Sequence, residues 1–206
     1  MSKVSERVLD WQGRAVRYTD TGTGPAVVIF AVGEGALYDD LATALAARHR
    51  VLVFEAATLT GGSVSKRTTF LAQALAQLGI SSCSVIGCGH GASLALTQAL
   101  HAQASVQRLV LIAPALDSVQ HPELRDRLRE ISTPTLILVG TRDRPGARTA
   151  GQTCREHLPT SHLVLVYEAG ADLMADRREA TLAPINEFLD RGEGFIVFQE
   201  SQMIRP

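Results

Sequence analysis

Short unbroken apolar runs recur along this chain, and between them apolar residues return every three or four positions. The first two segments differ. Arg7-Val8-Leu9-Asp10-Trp11 and Arg14-Ala15-Val16-Arg17-Tyr18 alternate apolar with polar around Gln12-Gly13, which predicts an antiparallel hairpin. Then come Ala26–Phe30, Val51–Phe54, Ser84–Ile86, Leu109–Ala113, Thr135–Gly140 and Leu163–Tyr167. Each is short and apolar on both faces, as a strand inside a parallel sheet must be. Helical spacing fills the intervals: Leu37, Leu41, Ala44 and Leu45; Phe70, Leu71, Ala74, Leu75 and Leu78, stopping at Gly79; Ala92 to Leu100; a short polar helix near Pro122 to Glu130; Ala147 to Leu158; and Arg178 to Leu189. A hairpin followed by alternating strands and helices predicts an α/β fold, a mostly parallel central sheet with helices on both faces. No repeat or low-complexity linker divides residues 1–206, so one domain is expected. In the tail, 191–206, Gly194–Gln199 has strand composition and is a candidate edge strand or a contact with another copy of the chain.

Composition narrows the partners. Hydrophobic residues make up 46% and charged residues 20%, which suits a packed core and excludes a largely disordered chain. Twenty basic and 21 acidic side chains leave a net charge of −1, so no global field draws the protein to nucleic acid or an anionic membrane. The run Arg125-Asp126-Arg127-Leu128-Arg129-Glu130 mixes signs at helical spacing and reads as a solvated helix face. The N-terminal residues lack the apolar core of a signal peptide, and Ala26–Val32 is too short to span a bilayer. Cys83, Cys88 and Cys154 are odd in number, without disulfide-framework or zinc spacing, and His49, His101, His121, His157 and His162 show no metal-ligand pattern. The expectation is a cytoplasmic protein with neither metal nor cofactor.

The chemistry concentrates at Ser84 to His101. A strand enters Gly87-Cys88-Gly89-His90-Gly91, and a helix leaves it. Strand, sharp turn and helix are the context of the nucleophile elbow G-x-S-x-G. Further along, Pro134-Thr135-Leu136-Ile137-Leu138-Val139-Gly140-Thr141-Arg142-Asp143 and Ala169-Gly170-Ala171-Asp172 precede the last helix. On these motifs and Tyr18–Pro25, the chain resembles the α/β-hydrolases from about Val4 to Leu189. The resemblance places Gly89 at the nucleophile position, Asp143 at the acid position and Ala171 at the base position. Val27–Gly33 lies where that family carries a strand ending in His-Gly for its oxyanion loop, and the His-Gly is absent. Only Pro114 to Pro134 separates two strands where the family commonly inserts a cap, so no cap domain and an open or shallow pocket are expected. A glycine in the nucleophile slot is also similar to the N-myc downstream-regulated proteins, a non-catalytic branch of the fold.

Acyl transfer by a triad needs a nucleophile, a base to take its proton and an acid to orient that base. Gly89 and Ala171 remove the first two, which implies a pseudoenzyme with a degenerate triad. Backbone oxyanion donors at His90 do not depend on side chains but give only a residual rate alone. The candidate pocket comprises Val32, Gly33, Glu34, Cys88, His90 and Asp143, open to a small-molecule ligand. The rival reading is a hydrolase or lyase built from Cys88, His90 or Asp143; another is a structural module that assembles through the tail. Cys88 and His90 flank the elbow's central residue, where side chains diverge, which speaks against a direct Cys-His pair. Gly87–Ala92 also fits the dinucleotide pattern G-x-G-x-x-A, but the following strand ends Ile112-Ala113-Pro114 without the acidic residue that would hold the ribose. Asp143, Asp172 and Asp176 have a simpler use as turn and helix caps, and Glu55 is a candidate wall residue at its strand's end.

Overall fold

The computed structural model describes residues 5–31, 36–55, 64–116, 124–195 and 202–204. Among the described residues nine strands form one sheet: β1 Ser5–Trp11, β2 Arg14–Thr21, β3 Ala26–Ala31, β4 Arg50–Glu55, β5 Cys83–Cys88, β6 Val106–Ile112, β7 Thr135–Gly140, β8 Ser161–Val166 and β9 Gln202–Ile204. Their order is β1-β2-β4-β3-β5-β6-β7-β8-β9. β1 and β2 pair antiparallel, as do β2 and β4; every other pair is parallel. The hairpin forms as the alternation predicts, with Gln12 and Gly13 both at positive φ in its two-residue turn.

Strand order reverses at β3. The chain leaves β3 for β4 on one side, then returns to set β5 on the other. In an open α/β sheet such a reversal opens a crevice beyond the carboxyl ends of the strands, where ligands bind. The elbow sits at the carboxyl end of β5, so topology alone brings it to this crevice.

Helices cover both faces. On one, α1 Ala36–Leu45, α6 Leu173–Asp176 and α7 Arg178–Arg191 pack over Val27, Ile29, Ile86 and Leu138. On the other, α2 Val64–Gln77, α3 Gly91–His101 and α5 Pro145–His157 cover Val28, Phe30, Val85 and Ile137. The two halves of each apolar strand alternate between these cores, which is why strands such as β3 and β7 read as unbroken apolar runs. At the hairpin end Trp11, Tyr18, Phe30, Phe54 and Phe70 form a ring cluster, with Trp11–Phe70 and Phe54–Phe70 edge to face at 5.2 Å. The Trp11 indole N–H donates to Gln73 Oε1 at 2.9 Å, so the buried ring keeps its polar atom paired.

Three elements differ from expectation. β6 begins at Val106, earlier than the apolar run, because Val106 and Arg108 still pair with Cys83 and Ser84 on β5, across a register shift that leaves Gln107 without a ladder partner. α6, a single turn capped by Asp172, has no periodicity long enough to announce it. In the tail, Gly192–Phe195 close a 3-10 turn where a strand was expected to start, and the edge strand that pairs with β8 is Gln202–Ile204. Residues 196–201 lie outside the described residues. Between β6 and β7 the described residues hold one short helix, α4 Leu124–Arg127, and a 3-10 turn, with no cap domain.

Candidate functional site

Gly89 leaves β5 at φ +54, in the left-handed region that side-chain-bearing residues rarely adopt. A Cβ built there meets nothing within 4 Å and would stand in open space. The turn is fixed by backbone bonds: Gly89 N–H donates to Ile112 O at 2.9 Å, while Ala92 N–H and Ala115 N–H donate to Gly89 O at 3.1 and 2.9 Å. The elbow is therefore tied to the end of β6, and Ser93 Oγ on α3 donates to Ala115 O at 3.0 Å to hold the same segment. These bonds fix a sharp strand-to-helix turn around Gly89.

Cys88 and His90 diverge from this turn. Cys88 is 2% exposed, and burial, with a smaller contribution from Asp172, pushes its thiol up to about 12. It is a thiol, not the thiolate that nucleophilic catalysis requires. His90 is exposed and takes helical angles at the start of α3.

Asp143 and Ala171 sit on two loops fastened to each other. After β7, Thr141 N–H donates to Val166 O at 3.0 Å and Arg142 N–H to Ala169 O at 2.8 Å. Glu168 N–H donates to Thr141 Oγ1 at 2.9 Å, and Arg142 pairs with Glu168 at 2.9 Å. Gly140 makes the approach feasible, since a Cβ there would lie 2.2 Å from Ala169 O. Asp143 is 5% exposed; its Oδ1 accepts the Arg144 N–H at 2.6 Å, and its buried Oδ2 has no hydrogen-bond partner. A buried carboxylate oxygen without a donor is costly to fold. Ala171 is exposed and offers it none. Its neighbours serve the backbone: Asp172 Oδ1 accepts from Ala175 N–H at 3.0 Å, capping α6, and Asp176 Oδ2 accepts from Gly170 N–H at 2.7 Å.

A pocket of about 730 Å³ collects all three positions. Gly89, Cys88 and His90 line it from the elbow, Asp143 and Arg144 from the end of β7, and Ala171 from the last loop. Ile112, Ala113, Leu116 and Leu124 supply an apolar wall, and α5 contributes its small side chains from Gly146 to Thr153. The size falls in the range of small-molecule sites.

Of the candidate pocket residues, Cys88, His90 and Asp143 do line it; Val32, Gly33 and Glu34 lie outside the described residues. Glu55 is not in the wall: it is exposed and pairs with Arg17 at 3.3 Å. Sequence reasoning missed Arg125, whose alternating charges suggested only a solvated face, and Ala113, which lines the pocket at φ +45. Nothing in an alanine announces a left-handed backbone. Among the described residues no group of three or more His, Cys, Asp or Glu is placed to hold a metal ion, and no helix is long and apolar enough to cross a membrane.

No known family model matches the sequence, and no curated protein matches it significantly. Solved structures do match. A protein described as a predicted CIB-like hydrolase from Thermoplasma acidophilum is 16% identical over 91% of this chain and 98% of its own, with a TM-score of 0.72. Carboxylesterase CesB from Bacillus subtilis is 14% identical over 91% and 92%, with a TM-score of 0.75. The enol-lactonase from Burkholderia xenovorans is 14% identical over 89% and 100%, with a TM-score of 0.75. The chain has the α/β-hydrolase fold, over nearly the whole length of these enzymes.

Proposed function

We propose that this α/β-hydrolase-fold protein has lost serine-hydrolase chemistry and keeps the pocket to bind a small molecule. The observation that carries the reading is the convergence of Gly89, Asp143 and Ala171 on one pocket, with glycine and alanine where a nucleophile and a base would stand. A hydroxyl needs a base within hydrogen-bond reach to attack at neutral pH, and neither group is supplied here. A site rebuilt around Cys88 is not favoured, because its buried thiol stays protonated up to about 12. What remains is a built concavity with an apolar wall and few polar groups, the composition of a ligand site.

Hydrolysis of short-chain p-nitrophenyl esters tests this. Wild type is expected to show no turnover above a heat-denatured control. Saturable turnover that disappears on Cys88→Ala or His90→Ala would overturn the reading. Gly89→Ser combined with Ala171→His is expected to gain turnover, since the elbow and the acid loop are in place around the two lost groups.

A further inference from the structure

The charges that border the pocket are unequal in sign and in exposure. Arg125 on α4 and Arg144, which precedes α5, both line it; both are exposed, and neither forms an ion pair among the described residues. Their neighbours in the chain are paired: Arg127 with Glu130 at 2.8 Å and Arg142 with Glu168 at 2.9 Å. Asp143 is the one acidic lining residue among the described residues, and it is 5% exposed. Its Oδ1 accepts the Arg144 N–H at 2.6 Å and its Oδ2 is buried, so a molecule in the pocket meets no free carboxylate. Asp126, beside Arg125 in the chain, does not line the pocket, and the buried Cys88 thiol is protonated and adds no charge.

We propose that the pocket selects amphiphilic anions, a carboxylate on an apolar chain, with the chain against Ile112, Leu116 and Leu124 and the carboxylate at the mouth that Arg125 and Arg144 border. The proposal rests on the reading of the site as a binding pocket and names the class of molecule it takes. Burial of the chain supplies the affinity, and the arginines set the sign of charge that is admitted. An arginine bordering the mouth keeps its guanidinium within about a Debye length of it, about 8 Å at physiological salt, whichever rotamer it takes. Selection by charge therefore needs no fixed contact. A neutral amphiphile buries the same apolar surface without this attraction, and a cationic one is repelled by the same two groups. Both arginines are exposed and screened by salt, so the preference is a matter of a few fold for each.

Titration calorimetry with three probes that share one chain tests this: octanoate, octanamide and octylammonium. Octanoate is expected to bind at least about fivefold more tightly than octanamide, and octylammonium more weakly than either. The advantage of octanoate is expected to shrink as sodium chloride rises from about 0.05 M to about 0.5 M, while octanamide does not lose affinity in step. Arg125→Gln combined with Arg144→Gln is expected to bring octanoate to within about twofold of octanamide and to leave the melting temperature in place, since both side chains are exposed. Octanamide binding as tightly as octanoate, or a preference that survives the double substitution, would overturn the charge selection and leave the binding pocket standing. If none of the three binds, the assignment falls together with the ligand-binding part of the reading it rests on. The loss of hydrolase chemistry is decided separately by the ester assay, which responds to catalysis and not to these ligands.

Discussion

Gly89, the central residue of the elbow, holds a left-handed backbone that glycine adopts without strain. A nucleophile at φ +54 costs a side-chain-bearing residue about 1–2 kcal/mol of backbone strain. Glycine there is free of that cost. Because a Cβ meets nothing within 4 Å, Gly89→Ala is expected to lose only the strain, about 1 kcal/mol, lowering the melting midpoint by about 2–4 °C in a chain of this size. A loss above about 3 kcal/mol by urea unfolding would mean that the site is not open above the turn. The neighbouring thiol carries the second expectation at this scale. Burial pushes Cys83, Cys88 and Cys154 each up to about 12, so at pH 8 iodoacetamide is expected to leave the native protein unlabelled and to modify all three once it is unfolded. Rapid labelling of native Cys88 would contradict the protonated, buried thiol.

Between elements, the antiparallel hairpin is fastened to the parallel sheet by a fork. Arg50 Nε and Nη2, at the start of β4, donate to Asp20 Oδ1 and Oδ2 on β2 at 3.0 and 2.9 Å, and Arg7 on β1 reaches the same carboxylate at 3.3 Å. The hydrogen bond to Asp20 raises the Arg50 guanidinium further above its ordinary value, against the opposing effect of its own burial. The Asp20 side chain is 8% exposed and that of Arg50 31%, so the carboxylate end of this pair is shielded as those of surface pairs are not. Asp20→Ala should cost about 2 kcal/mol in urea, the scale of a charged hydrogen bond lost with its partner left behind. A change within about 0.5 kcal/mol would place the fork among ordinary surface pairs. The same scale explains what the sequence reveals. β3, β4, β5, β7 and β8 are legible because burial on both faces leaves a short apolar run with polar residues only near its ends, and α2, α3, α5 and α7 because their apolar residues repeat at helical spacing. The elbow and Asp143 are legible because glycine turns and Gly-x-x-Asp loops constrain residue type. Arg125 and the α5 wall are not. An arginine on a short helix reads the same whether it faces water or a pocket, and the small residues of α5 carry no sign of what lies opposite them. β9 is hidden because three residues at a sheet edge need no apolar pattern.

At the scale of the molecule, two cores on opposite faces hold a crevice where strand order reverses, and stability and function can be probed apart. His162 on β8 is 1% exposed and meets the Phe195 ring at 5.7 Å; its burial, aided by Arg155, holds the imidazole below its ordinary value of 6.5. The unfolded chain therefore takes up this proton more readily than the folded one. Stability is expected to fall as pH drops through about 6.5, and His162→Leu to flatten that decline in urea titrations across pH 5 to 8. An unchanged slope would assign the pH dependence to other groups. That test concerns the scaffold; the claim about the site is that no residue of the pocket acts as a nucleophile. Its most direct measurement is intact mass after incubation with a fluorophosphonate, which phosphonylates an activated hydroxyl irreversibly. The account predicts an unmodified wild-type mass and a single adduct at position 89 in the Gly89→Ser, Ala171→His variant. An adduct on any pocket residue of the wild type would contradict it.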